Sequence, residues 1–385
     1  MKEKGVELKA KRNAWFLGSS SFLNDVGGDM ISSILPFYIG ALGGGGVAIG
    51  LISGLREGLS SIFKIFGGWL SDRIGKRKIF VFLGYFFSFI FKFFIGLATT
   101  WQSLLWFVSL ERFGKFRDAP RDAIIADSLN HRGKNFGIIQ MLDTLGGVVG
   151  TLIVIFLFWK FGFEFKTIIF LAAVISFFSI VPIFFVKEPK IKAIKKNLLR
   201  GVEDLDGRLK YFVFVVSVFS FANFGLYMFL MLMAEEITGS VIYPLLFYIL
   251  FNLVYAIFVT PFGELSDRFG RKRILLAGYF LFLIITIGFI FLSNFVHLFI
   301  LFSLYGLVYA ITNSSQRALV SDLAGEMKGT ALGFFYTAMG LVSIPGGLVA
   351  GILWDINHKL MFEYLSVVAF VAVILLCFVK GGKKV

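Results

Sequence analysis

Two aspartates, Asp25 and Asp29, stand four residues apart near the middle of the first long apolar stretch, Ala14 to Gly40. On a helix that spacing rotates them by about 40°, so both carboxylates share one face. Carboxylates held close raise one another's proton affinity, which suits groups that take up and release protons near neutral pH. A later stretch is denser: Glu111-Arg112-Phe-Gly-Lys115-Phe-Arg117-Asp118-Ala-Pro120-Arg121-Asp122. At about 100° per residue, Glu111, Lys115, Asp118 and Asp122 fall within about 60° of arc and must line an interior. Pro120 lacks a backbone donor, which predicts a kink and a carbonyl freed towards a cavity.

Over the apolar stretches of the first half, seven acids (Asp25, Asp29, Glu57, Glu111, Asp118, Asp122, Asp143) balance seven bases (Arg56, Lys64, Lys92, Arg112, Lys115, Arg117, Arg121). Each would cost about 2.5–3.5 kcal/mol at the centre of a lipid-facing helix, so they must face a cavity or one another. Asp25, Asp29, Glu57, Glu111, Arg112, Asp118 and Asp122 are the candidates for handling protons. The bland alternative is a set of satisfied ion pairs, with Asp25 and Asp29 bonded to the bases of the Glu111–Asp122 cluster. Arg56 and Glu57 are neighbours, about 100° apart, so one of the two faces the cavity. Arg56 is favoured, as a counter-ion for Asp25 or for a solute; Lys64 could snorkel. The second half has few charges, chiefly Arg317. Its polar and amphipathic candidates are Asn223, Asn252, Tyr255, Tyr305, Tyr309, Asn313, Gln316 and Tyr336. With Arg56, Lys115 and Asp143 these are the residues expected to touch a solute, and aromatic plus amide linings suit one with an apolar body.

The elements that position these residues follow from hydropathy. The 385-residue chain is 57% hydrophobic, with a mean hydropathy of +0.84, above the 45–50% or so of apolar residues in water-soluble domains. The apolar residues form twelve spans, near 14–40, 47–71, 78–98, 101–127, 135–159, 166–186, 210–236, 242–266, 273–292, 295–321, 329–353 and 360–380. Each can cross about 30 Å of hydrocarbon, and in lipid such runs must be helices. The first is too long for a signal peptide and reads as a retained helix.

The net charge of +14 sits in the loops. Basic residues crowd the N-terminal tail, Arg73–Lys78, Arg132 and Lys134, 187–210, Arg268–Arg273, Lys328 and Lys380–Lys384, while loops of the other parity hold Lys160, Lys166 and Lys359. By the positive-inside bias both termini and the basic loops are cytoplasmic. The charge therefore reads as topology in a multi-pass cell-membrane protein, not as a nucleic-acid surface. The lone Cys377 and three scattered histidines argue against disulfides and metal sites. No cofactor is expected, and no nucleophile–base pairing suggests an enzyme.

After the second span the chain reads Gly68-Trp-Leu-Ser-Asp72-Arg73-Ile-Gly75-Lys76-Arg77-Lys78, and after the eighth Gly263-Glu-Leu-Ser-Asp267-Arg268-Phe-Gly270-Arg271-Lys272-Arg273. The offset of 195 residues also carries Asp127 onto Asp322. This half-chain period marks two parallel six-helix repeats, near 1–190 and 210–385, joined by a cytoplasmic linker at 191–209. The paired loops resemble the signature loop of the major facilitator superfamily, secondary transporters with two six-helix bundles related by a pseudo-twofold axis. That resemblance implies an all-α polytopic fold, with Asp72 near the start of span eleven around Gly329. It also implies a charge relay from Lys76 to Asp127 that latches one state, with Asp267, Arg271 and Asp322 as second-half counterparts. Gly75 and Gly270 are expected to make tight turns. Arg112 fits an antiporter pattern resembling R-x-x-x-G by position, although Phe116 stands where a glycine belongs. Asp143-Thr-Leu-Gly146-Gly147-Val-Val-Gly150 resembles the glycine-rich motif of the fifth helix, or serves close helix packing.

The expectation is proton-coupled export of an amphipathic organic solute by a monomer in the lipid bilayer. A symporter or uniporter of an organic anion, using Arg56, Arg112, Lys115 and Arg317, is the first rival. A non-transporting sensor or scaffold is the second.

Overall fold

A computed structural model describes residues 2–126, 132–188, 203, 205–292, 294–324 and 328–379. The first half runs α1 (Lys2–Ala41), α2 (Gly46–Ile74), α3 (Lys78–Gly96), α4 (Trp101–Phe113), α5 (Asp118–Ala126), α6 (Arg132–Phe161) and α7 (Phe165–Phe178). The second half runs α8 (Gly207–Ala222), α9 (Tyr227–Thr238), α10 (Ile242–Phe269), α11 (Arg271–Ile290), α12 (Phe295–Leu323), α13 (Lys328–Ile356) and α14 (His358–Cys377). Ten of the twelve expected spans are long and apolar enough to cross a membrane. The other two, on α1 and on α4–α5, carry Asp25, Asp29 and the Glu111–Asp122 cluster. From α2 onwards, each expected span of the second half begins within two residues of the position 195 beyond its first-half counterpart.

Side-chain caps start several helices by satisfying amides that have no partner within the helix. Thr100 and Ser103 form a capping box at α4, Asn294 accepts from His297 N at 3.0 Å, and Asn357 accepts from Lys359 N at 2.8 Å. Asp206, ahead of α8, accepts from the backbone N–H and the guanidinium of Arg208, which hold its carboxyl below the ordinary carboxylate range. Apart from residues 203 and 205–209, the expected linker lies outside the described residues.

Two spans are interrupted. Span four passes through a 3₁₀ turn at Gly114–Arg117 before restarting as α5. Pro120, in the first turn of α5, withholds the hydrogen bond that the Phe116 carbonyl would receive in a continuous helix. That carbonyl abuts Gly67 of α2, where a Cβ would overlap it. The expected kink therefore forms, but the freed carbonyl meets another helix. Span seven breaks at Asn223, between α8 and α9, and Gly225 takes φ +92°, a conformation that only glycine adopts without strain. Ser53 Oγ lies 3.1 and 2.8 Å from the Phe224 and Gly225 carbonyls.

Contacts divide the chain into two compact units, Met1–Tyr38 with Ile62–Lys196, and Ile39–Ser61 with Asn197–Val385. In the first unit Leu17, Val81, Tyr85, Ile124, Ile125 and Ile180 form an apolar core. In the second, Phe219 stacks on Tyr279 at 3.9 Å, and Phe251, Tyr305 and Tyr309 pack ring against ring. Large apolar side chains are also exposed, Trp106, Trp159, Phe291 and Phe378 among them, as lipid-facing helices require.

Within the second unit, residues 46–61 of α2 run along α13 at backbone contact. Cβ atoms at Gly50 or Gly347 would overlap the facing carbonyl. Asp355 completes the seam by accepting from Gly46 N at 2.5 Å and Val47 N at 3.0 Å. Lipid offers helices no hydrophobic drive to associate, so such close approach supplies the packing energy. Gly50→Val or Gly347→Val should therefore destabilise the protein by about 1–3 kcal/mol. Gly207→Ala, with nothing within 4 Å of the new Cβ, should be neutral. Melting temperatures in detergent micelles measure both, and an unchanged value for Gly50→Val would contradict the packing account.

Candidate functional site

Lys92 is the hub of the first unit. Its side chain is 1% exposed. Nζ donates to the Asn24 carbonyl at 2.8 Å, to Asn24 Oδ1 at 3.1 Å and to Ser176 Oγ at 2.8 Å. All three ammonium hydrogens thus have neutral acceptors from α1 and α7. Ser88 Oγ lies 3.1 Å from Asn24 Oδ1 and 2.9 Å from Glu111 Oε1, and Glu111 pairs with Arg112. Arg117, equally buried, lies 4.3 Å from the centre of the Tyr85 ring and donates to the Gly114 carbonyl at 2.8 Å. Asp118 lies 3.8 Å from Arg117 Nε and 3.9 Å from Lys115 Nζ. Arg121 donates to Ser21 Oγ at 2.6 Å and to Asp122 at 3.0 Å, and stands 3.6 Å from Asp143.

Asp25 and Asp29 lie on the face of α1 that meets α6. Asp25 Oδ1 lies 3.4 Å from Asn24 Nδ2. A Cβ on Gly146 would stand 3.2 Å from the Asp25 Cβ, and one on Gly147 would stand 2.9 Å from Asp29 Oδ2. The glycines of α6 thus bring that helix against the acidic face of α1, close to Asp143. Helix α1 is continuous through Gly27 and Gly28, and a Cβ on Gly27 would overlap the Ala172 carbonyl of α7.

The second unit encloses a cavity of about 100 Å³, lined among others by Glu57, Asn223, Tyr309, Asn313, Gln316 and Ser343. Tyr305 Oη donates to Asn223 Oδ1 at 2.6 Å, and Gln316 Nε2 donates to Tyr279 Oη at 3.0 Å. Of the pair Arg56–Glu57 it is Glu57 that lines this cavity, while Arg56 is buried beside it in α2. Several expected solute contacts lie elsewhere. Asn252 donates back to its own helix at the Tyr248 carbonyl, 2.9 Å away. Arg317 is exposed and donates to the Asn313 carbonyl at 2.8 Å. Tyr255 reaches the Tyr309 ring edge-on at 6.4 Å, and Tyr336 packs on Phe335.

Positions 195 apart compare the two sites. Asp25, Asp118 and Arg121 correspond to Ser220, Asn313 and Gln316, all three on the cavity wall. Charged positions of the first repeat are neutral hydrogen-bonding positions in the second.

The two loops keep their symmetry. Ser71 Oγ donates to the Gly68 carbonyl at 2.9 Å and Ser266 Oγ to the Gly263 carbonyl at 2.8 Å. Gly75 and Gly270 take φ of 73° and 96°, as the turns require. Arg271 bonds Asp267 at 3.3 Å, Asp322 at 2.8 Å and the Ala318 carbonyl. In the first copy Arg77, not Lys76, bonds Asp72 at 3.1 Å and the equivalent Ala123 carbonyl at 3.1 Å. Lys76, Arg73 and Arg268 are exposed, with Arg73 lying over the Trp69 ring. Asp127 lies outside the described residues. Glu188 accepts from the Arg77 and Lys78 amides at 2.6 and 3.1 Å, and so caps α3.

Sequence reasoning gave Lys92 no function and passed over Asn24, Ser88 and Ser176. Serines and an asparagine in apolar spans, once Lys92 had to be satisfied, were the available signal. Among the described residues no group of three His, Cys, Asp or Glu could hold a metal ion.

A fold of helices repeated at half-chain spacing, with ionic groups inside its spans, defines a polytopic solute-transporter architecture. A model of the Major Facilitator Superfamily matches residues 17–236 and 211–384, and the chain belongs to that superfamily. It is 43% identical over 383 residues to an uncharacterized MFS-type transporter of Methanocaldococcus jannaschii, covering 97% of this chain and 96% of the relative. It is 25% identical over 333 residues to the multidrug resistance protein MdtH of Photorhabdus laumondii, covering 84% and 82%. Among solved structures, the nucleoside transporter NupG superposes with a TM-score of 0.76 at 15% identity, covering 95% of this chain and 97% of that one. The POT family transporter PepTSo superposes with a TM-score of 0.80 at 13% identity, covering 95% and 97%.

Lys92→Met should cost about 1–3 kcal/mol, because the Asn24 carbonyl loses its buried donor. Paired with Glu111→Gln, it should be non-additive by about 0.5–3 kcal/mol, since Ser88 and Asn24 link the two residues. Additive melting shifts would refute a common network. In the loop, Arg77→Ala should lower stability clearly while Lys76→Ala stays within about 0.5 kcal/mol. Equal effects would deny Arg77 its place.

Proposed function

We propose that the chain is a secondary active transporter that moves a small organic solute by alternating access. Protons are the coupling ion, and export of an amphipathic compound is the work done. The observation that carries this reading is the division of polar character at equivalent positions. The first unit gathers Asp25, Asp29, Glu111, Asp118 and Asp143 among buried bases, while the second offers a neutral polar wall with aromatic sides.

In the first unit each carboxylate has neighbours that differ in kind. Glu111 faces Ser88 and Arg112, Asp143 faces Arg121, and Asp25 faces Asn24. Protonating one of them removes a charge that holds a base, so the base must find another partner. Proton occupancy is in this way linked to helix packing. In the second unit the unwound turn at Asn223 opens backbone in the middle of span seven, as in transporters whose solutes bind at discontinuous helices. The loop bridges at Asp72–Arg77 and Asp267–Arg271–Asp322 act as latches that break and re-form during the cycle. The protein works as a monomer in the cell membrane, with both termini cytoplasmic, in accord with its basic loops.

The test is transport in proteoliposomes with and without an imposed proton gradient. A gradient should accelerate solute movement at least severalfold in the wild type and leave the Asp25→Asn/Asp29→Asn double variant unaffected. Movement indifferent to the gradient, and intact in the double variant, would remove proton coupling.

A further inference from the structure

Two hydroxyls on the wall of the second unit's cavity have fixed hydrogen-bonding roles. Thr312 Oγ1 donates its one hydrogen to the Val308 carbonyl at 2.7 Å, and Ser343 Oγ donates to the Met339 carbonyl at 2.8 Å. Both oxygens can then only accept from a solute. Gln316 gives one Nε2 hydrogen to Tyr279 and keeps Oε1 as an acceptor. On the donor side, Asn223 accepts the Tyr305 hydroxyl with Oδ1 and keeps Nδ2. Ser220 Oγ is buried in the wall and has no hydrogen-bond partner among the described residues.

Glu57 adds a negative charge to these acceptors. Among the described lining residues it alone carries a full charge, and it is exposed near the middle of α2. Its Cγ stands 3.5 Å from where a Cβ on Gly225 would lie, which sets it against the broken turn of span seven. Phe219, stacked on Tyr279, and Tyr309 supply aromatic faces on the same wall. An anion entering here would meet a carboxylate and outward lone pairs. A neutral apolar body would strand the acceptors without donors.

We propose that this cavity selects a solute bearing a protonated nitrogen with several N–H donors, a primary ammonium or a guanidinium, on an aromatic or otherwise apolar body. Glu57 takes the charge, and Gln316, Thr312 and Ser343 take the N–H groups. Primary ammonium is preferred over quaternary ammonium, because the latter satisfies the charge and leaves the acceptors unpaired. This rests on the transport reading only in taking the cavity as the solute's seat.

Calorimetry on the purified full chain in detergent, at pH 7 and without a gradient, separates this from proton coupling. The probes share phenyl, indolyl or naphthyl bodies and end in an ethylammonium, an ethyltrimethylammonium, a hydroxyethyl or a propionate group. The ammonium member should bind about tenfold tighter than its alcohol and its trimethyl analogue, and the propionate weakest. Glu57→Gln should bring ammonium and alcohol within about threefold of each other, while Glu57→Asp retains the preference. Where Glu57→Gln does not fold, Ser343→Ala should narrow the gap between primary and trimethylated probes. Tightest binding by propionate, absence of binding by every ammonium member at millimolar concentration, or an unchanged preference in the variants would overturn the proposal. None of these results bears on whether a proton gradient drives transport.

Discussion

An ionised side chain inside a bilayer-spanning helix must find its solvation within the protein, and the first unit is arranged around that requirement. Lys92 cannot snorkel to an interface, because α3 buries it among α1, α4 and α7. Its solution is three neutral acceptors. Asn24 supplies two of them and the hydroxyl of Ser176 the third, so a single ammonium ties α1 to α7. That tie needs close helices, and Gly27, packed against the Ala172 carbonyl, provides the approach. Arg117 finds a different solution, an aromatic face and the Gly114 carbonyl of the 3₁₀ turn. The local break in span four thus helps to solvate the charge beside it.

Two repeats of one sequence plan have solved the same packing problem with different chemistry. The loop contacts survive almost unchanged, serine to glycine carbonyl and arginine to aspartate and alanine carbonyl. The spans have diverged. Where the first repeat has Asp25, Asp118 and Arg121, the second has a serine, an asparagine and a glutamine. A neutral amide can bond in a low-dielectric wall without a counter-charge, so the second unit has no need of an ion-pair network there. Aromatic rings occupy the volume instead, and a cavity remains between them.

The span count, the repeat and the loop turns were legible because they rest on long-range composition and on residues with one structural use. Glycines at positive φ, a proline near a break and runs of about twenty apolar residues leave little choice. Partner choice was less legible. Asp25 and Asp29 have the right spacing to share a face, but which helix that face meets depends on the glycines of α6, whose contacts a single sequence does not display. In the first loop Lys76 and Arg77 are both basic, and only geometry shows that Arg77 folds back onto Asp72. Asn223 read as a polar wall residue. Its neighbour Gly225 signalled the break, but an isolated glycine in an apolar span is ambiguous.

The two breaks are not repeat-related. The first repeat interrupts span four at 114–117, whereas the equivalent residues 309–312 lie inside the continuous α12. The second interrupts span seven at Asn223, whereas its equivalent Gly28 lies inside the continuous α1. Both breaks are nonetheless met by α2. In the first unit Gly67 lies against the Phe116 carbonyl, and in the second Ser53 reaches the carbonyls of Phe224 and Gly225. The division between the units falls within this same helix, after Ser61. Glu57 lies between those contact points, one turn beyond Ser53 and so on nearly the same face. A carboxylate there is held at the broken turn by helix geometry. Its second-repeat equivalent, Asn252, bonds its own backbone. The acid of this pair therefore faces the cavity, and the amide is engaged within its helix.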